Sequence, residues 1–208
     1  MTEPRALFGL VLIGVQVMLA VPIIAALLGS KERRGISLPG ELIWAAAGIG
    51  WAVYGAMTGS ITLVVSGSIA AVTSGTISML VWPAAPAQRR RALALGGGTA
   101  AVLAASTLFA GDHGLSASLA AVGVLQFGPQ FAEAWHALRS RALVAGVSVL
   151  GACLRSLYTF SWALYGGAWF LWGPGMSRID WPLVGWGLAG AGTFALQALV
   201  AARSRPHA

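Results

Sequence analysis

The chain is 208 residues long, 57% hydrophobic and only 9% charged, with a formal net charge of +7. A soluble domain carries roughly 25% charged residues, so a water-soluble fold is disfavoured and most of the apolar surface must meet lipid or other helices. The charges are confined to short connectors, which marks membrane topology and not a nucleic-acid-binding face, and the lone Cys153 excludes an internal disulfide framework.

A membrane helix needs about 20 mostly apolar residues. Seven segments qualify: 6–29, 39–58, 60–82, 92–110, 115–138, 148–170 and 181–202. The first is too long for the apolar core of a signal peptide, and no small-residue cleavage site precedes Lys31. Gly59-Ser60 is nearly the whole connector between the second and third. Pro83 and Pro86 end the third. The fourth holds Gly96-Gly97-Gly98, small residues suited to close helix packing. Gly111-Asp112-His113-Gly114 turns the chain into the fifth, and the Gly173–Arg178 stretch separates the sixth from the seventh.

Lys31, Arg33, Arg34, Arg89, Arg90, Arg91, Arg139, Arg141, Arg203 and Arg205 fall on one side of this layout, and only Arg5 and Arg178 on the other. The positive-inside rule then places the N-terminus outside and the C-terminus in the cytoplasm. The Arg and Ala bias suggests a bacterium, with lipid of the plasma membrane as the surrounding partner.

The chain also repeats itself. Gly35-Ile36-Ser37, Trp51 and Tyr54-Gly55 recur 111 residues later as Gly146-Val147-Ser148, Trp162 and Tyr165-Gly166. Pro22 in the first span has its counterpart at Pro129, followed by Gln130, in the fifth. Each copy holds three spans, in residues 1–86 and 114–208. The span in 87–113 flips the chain once more, so the copies run parallel. The expected architecture is an all-α membrane protein of seven transmembrane helices: two parallel three-helix-bundle repeats joined by a linker helix. Transporters built from repeats place substrate between the halves. A homo-oligomer is compatible with this layout.

The Pro22 and Pro129-Gln130 positions, the paired Gly-x-Ser turns and the two Trp-x-x-Tyr-Gly motifs together resemble the SWEET and SemiSWEET sugar transporters of the PQ-loop superfamily, over nearly the whole chain. The resemblance implies that Pro22, Pro129, Gln130 and Pro39 act as hinges between inward-open and outward-open states; a static kink is the plainer reading of a membrane proline. It implies that Trp51 and Trp162, one from each half, stack a sugar ring. The alternative for both is an anchor in the outer aromatic belt. Tyr54 and Tyr165 would line an outer gate, or anchor in headgroups.

The family carries a sugar-binding Asn in the third helix of each repeat. Gly67 stands there in the first half, and aligning Ile61-Thr62-Leu63-Val64 with Trp181-Pro182-Leu183-Val184 places Gly187 there in the second. Two glycines imply a wider, less polar pocket. Ser66, Ser68 and Thr159 hydroxyls and Gln16 and Gln126 amides are the candidates to replace the lost hydrogen bonds. Inside the spans, Glu133 and Arg155 lie at matching depths and are expected to pair as an inner gate or lock, with Glu41 as a rival partner.

No carboxylate lies near the midplane, so passage without proton coupling is expected. His113, His136 and His207 lack metal-ligand spacing, and no catalytic pattern or phosphate loop is present, so no catalytic residue, metal or cofactor is expected. The functional expectation is a uniporter moving a small neutral solute, a sugar by resemblance. The alternatives are a PQ-loop carrier of amino acids or related metabolites, and a non-transporting receptor on the same fold.

Overall fold

A computed structural model describes residues 4–29, 37–140, 149–167 and 179–203. Every regular element among them is helical. The expected Gly173–Arg178 connector and the two Gly-x-Ser turns, apart from Ser37, lie outside the described residues, as do the side chains of Pro22, Pro129, Gln130 and Glu133.

The helices are α1 (Pro4–Gly29), α2 (Leu38–Met57), α3 (Ile61–Val81), α4 (Arg89–Ser140), α5 (Val149–Gly167) and α6 (Trp181–Arg203), with two 3-10 turns, Trp82–Ala84 and Pro86–Gln88, between α3 and α4. Three helical stretches are long and apolar enough to cross a membrane: Ile61–Ala84, Pro86–Gly128 and Trp181–Arg203. A shorter apolar stretch, Ala6–Val21, lies in α1. The outward side chains are largely apolar. Leu108 and Phe109 are 84% and 89% exposed, which is compatible with lipid and uncommon on a water-soluble surface.

The long α4 is two helices. Gly111 has φ 60° and ψ −141°, a conformation closed to most residues with a Cβ. Across it the chain folds back, because Ser118 Oγ donates to Ser106 Oγ at 2.6 Å. Twelve residues of straight helix would hold these groups roughly 18 Å apart. Gly114 completes the fold-back: a Cβ there would run into the Ser106 carbonyl oxygen. The expected four-residue turn is therefore tighter than the sequence indicates. Gly111 alone breaks the helix, and Asp112–Gly114 already belong to the second arm, 112–140.

The chain divides into two compact units, residues 9–122 and residues 1–8 with 123–208. Within the first, α2 starts cleanly. Ser37 Oγ accepts from the Gly40 N–H, Gln88 Oε1 accepts from the Leu38 N–H at 3.0 Å, and Glu41 places a negative charge in the first turn. The end of α3 is closed by Arg89, whose guanidinium donates twice to the Trp82 carbonyl, at 3.1 and 3.0 Å, and lies over the Trp82 ring. Below these caps Leu27, Leu38, Ile77, Val81, Ala85 and Ala92 form one apolar cluster. Gly96 in the first arm of α4 lets that helix approach Leu42, as its small-residue run suggests.

Candidate functional site

Each unit contains one tightly crossed helix pair, and the two pairs are built alike. In the first unit α2 and α3 are joined by Gly59-Ser60. The Ser60 N–H donates to the Gly55 carbonyl at 2.7 Å, and Ser60 Oγ accepts from the Leu63 N–H. In the second unit the Asp180 N–H donates to the Gly166 carbonyl at 3.0 Å, and Asp180 Oδ1 accepts from the Leu183 N–H. Ser and Asp both serve as N-caps, so one device closes both crossings with different residues.

Above the caps sit Gly67 and Gly187. A Cβ on Gly187 would lie 2.6 Å from both the Ala163 nitrogen and the Thr159 carbonyl oxygen. A Cβ on Gly67 would lie 2.6 Å from the Gly48 carbonyl oxygen and closer still to the Ala52 nitrogen. Ala163 and Thr159 are the residues 111 positions after Ala52 and Gly48. The alignment of the third helices thus places both glycines at the same point of their crossings. Their role is different from the expected one. They open no space; each is where one helix backbone touches the next, a small-residue contact of the kind that holds membrane helices together. The expectation of a wider pocket at Gly67 and Gly187 is corrected on this ground.

The aromatic motif faces inward in both units. Trp51 and Tyr54 are each 9% exposed, with ring centroids 5.9 Å apart and nearly perpendicular. Trp162 and Tyr165 are 2% and 3% exposed, 5.4 Å apart in the same edge-to-face arrangement. The spacing i, i+3 puts both rings on one helix face, and the edge-to-face geometry suits the ring quadrupoles. Protein covers all four rings, so lipid-facing belt anchors are not what these residues form. Tyr158 adds a further edge-to-face contact to Trp162.

The hydroxyls are mostly engaged. Ser66 Oγ donates to Gln16 Oε1 at 2.6 Å, and Gln16 Nε2 donates to the Ser66 carbonyl at 3.1 Å, a closed pair between α1 and α3. The corresponding slot of the other unit, by the proline and third-helix offsets, is Gly123 against the Trp186 indole, where a Cβ on Gly123 would lie 2.5 Å from the ring. A large residue and a small one have changed places across the same contact. Thr159 is 2% exposed and donates within its own helix, to the Arg155 and Ser156 carbonyls.

The hinge and gate candidates fall as follows. Pro39 sits in the first turn of α2, where its missing N–H has no helical partner to lose. It starts a helix and interrupts none, which replaces the hinge expectation there. The backbone stays helical through Pro22 and through Pro129-Gln130. Arg155 is exposed and its guanidinium lies 5.8 Å from the Phe194 ring centroid, a cation–π contact. Its expected partner Glu133 lies outside the described side chains. At the turn inside α4, Asp112 and His113 Nδ1 lie 2.9 Å apart and exposed, and that hydrogen bond holds the Asp112 carboxyl below its ordinary pKa. Among the described residues no group of His, Cys, Asp and Glu comes together to hold a metal ion.

Sequence reasoning did not single out Trp186 or the contact between Gly123 and Trp186. The signal was present: extending the third-helix alignment by three residues from Leu63 and Leu183 sets Ser66 opposite Trp186. No protein-family model matches the chain, and no curated protein matches it.

Proposed function

We propose that the protein is a SWEET-like membrane transporter that moves a small neutral solute, of the sugar class, by uncoupled alternating access. In this reading it spans the bacterial plasma membrane seven times, as two parallel three-helix repeats joined by the first arm of α4, with the N-terminus outside and the C-terminus inside. The observation that carries the reading is the duplicated crossing: the same cap, glycine contact and Trp–Tyr pair, at residues offset by 111 and 120 positions. An apolar chain that contains one helical device twice is the construction transporters use to present two alternately exposed halves to a single solute. Indole rings are the side chains that suit the C–H patches of a sugar. The described candidates for solute contact are neutral Trp, Tyr, Ser, Thr and Gln side chains, which favours uncoupled passage.

Counterflow in proteoliposomes tests the reading. Vesicles preloaded with one unlabelled sugar or amino acid are given the labelled form outside. Transient accumulation of a labelled sugar, insensitive to a proton ionophore, is the expected result. Accumulation of amino acids alone would move the protein to the sister class of carriers, and no accumulation of any solute would end the transporter reading.

A further inference from the structure

Five polar side chains were the candidates to supply the hydrogen bonds that Gly67 and Gly187 cannot: Gln16, Ser66, Ser68, Gln126 and Thr159. The structure separates them. Gln16 and Ser66 satisfy each other. Thr159 donates to its own helix. Ser68 is exposed. Gln126 differs from all four, because it is 9% exposed and neither its Nε2 nor its Oε1 has a partner. Among the described residues the other buried side-chain polar atom without a partner is Ser78 Oγ. A serine hydroxyl rotates freely and readily returns to the carbonyl one turn back, whereas an amide leaves two donors and an acceptor unmet at once.

Aromatic contacts flank Gln126 along its helix. It lies one turn from Gly123, on the face that packs against the Trp186 indole. Its neighbour Phe127 is 2% exposed, with the Trp186 and Phe194 rings at 5.9 and 5.7 Å. Val124 and Leu125 turn outward, 59% and 74% exposed. A carboxamide held in such a setting with no partner is costly, and native proteins keep such groups rarely and for a reason.

We infer that the Gln126 carboxamide is the specificity-determining group that binds the solute, and that the solute is a neutral polyhydroxyl compound presenting adjacent hydroxyls. This rests on the transporter reading. An amide donates through Nε2 and accepts through Oε1, which matches two neighbouring hydroxyls, each able to do either. The solute's hydroxyls would meet the two ends of the amide that no group among the described residues meets.

The test uses the purified full chain in detergent and in proteoliposomes. Gln126→Met keeps the length and shape of the side chain and removes both hydrogen-bonding ends. Gln126→Asn keeps the amide and withdraws it by one methylene. The probes are glucose and sucrose, with glutamine as the non-sugar control. Thermal unfolding is measured with and without each probe, and counterflow is run in parallel. The expected result is that Gln126→Met melts at or above wild type without solute. It should also need roughly tenfold or more sugar for the same stabilisation, the loss of one to two hydrogen bonds, with Gln126→Asn between the two. The inference fails if Gln126→Met melts well below wild type without solute, since the amide would then have a partner inside the protein. It also fails if the sugar shift is unchanged in Gln126→Met, or if no sugar stabilises the wild type. The two readings separate cleanly. A Gln126-dependent sugar shift without counterflow keeps the binding assignment and ends the transporter reading. Counterflow that is equal in wild type and Gln126→Met ends the assignment and keeps the transporter.

Discussion

Replacing Gly187 by alanine puts a methyl group where two helix backbones touch. Its Cβ would lie 2.6 Å from the Ala163 nitrogen, 2.6 Å from the Thr159 oxygen and 2.8 Å from the Ala163 Cβ. Ordinary contact begins near 3.4 Å, so α5 and α6 must part by roughly 0.8 Å, a gap that forfeits a quarter to a half of the attraction at neighbouring contacts. Overpacking of this kind costs about 1–3 kcal/mol. The obstacles here are backbone atoms, which cannot rotate away, so the upper part of that range applies. Alanine also gains about 1 kcal/mol over glycine as a helix former. That gain is removed by comparison with Gly192 on the same helix, where an added Cβ meets nothing within 4 Å. Gly187→Ala should therefore be less stable than Gly192→Ala by about 2–3 kcal/mol. At about 2–4 °C per kcal/mol for a chain of this size, the two should melt several degrees apart. Gly67 and Gly75 on α3 form the matching comparison, since a Cβ on Gly75 also meets nothing within 4 Å. The assay is thermal unfolding in detergent followed by far-UV circular dichroism. Asparagine at Gly67 or Gly187 should be worse than alanine and should add no solute contact. If Gly187→Ala and Gly192→Ala melt together, the crossing is not as close as described and the glycine argument is wrong.

Trp162→Ala should cost about 3–5 kcal/mol of stability because the ring is 2% exposed, whereas Trp162→Phe should remain folded and keep an edge-to-face contact with Tyr165; unfolding curves of the two variants check this, and counterflow of Trp162→Phe reports the indole's part in transport. Reporter fusions after Ser140 and at Ala208 should read cytoplasmic and one after His113 external, and an external reading at Ala208 would break the parallel-repeat argument. The Asp112 carboxyl is held below its ordinary value of 3.8 by the hydrogen bond from His113. A depressed acid contributes stability that is present above its unfolded pKa and disappears as pH falls through the folded one. Wild type should thus lose a small amount of stability below about pH 4 that Asp112→Asn does not lose, measured as melting temperature against pH.

Much of the helical framework was legible along the chain because its signals are local. Gly59-Ser60 was readable as the break between α2 and α3, made by hydrogen bonds within a few residues of sequence, whereas Pro39, expected as a hinge, starts α2 behind the Ser37 cap. The 111-residue repeat was also readable, since it needs only a count. The turn after the fourth apolar segment was half-readable. Its glycines announced a break, but only the backbone shows that Gly111 makes it alone while Gly114 serves the packing of Ser106.

What the tertiary structure alone decided is which side chain meets which. Gly67 reads in sequence as a lost asparagine and therefore as empty space. Across the crossing it meets the Gly48 carbonyl and becomes a contact that no side chain can fill. Gln16 and Gln126 read as equivalent amides in apolar helices. Ser66 stands opposite the first and closes a pair of hydrogen bonds, and no group among the described residues does so for the second. Helix formation follows from bonds that a segment makes with itself, so sequence settles it. The use of a glycine or an amide depends on the register of a second helix, far away along the chain, which only packing sets.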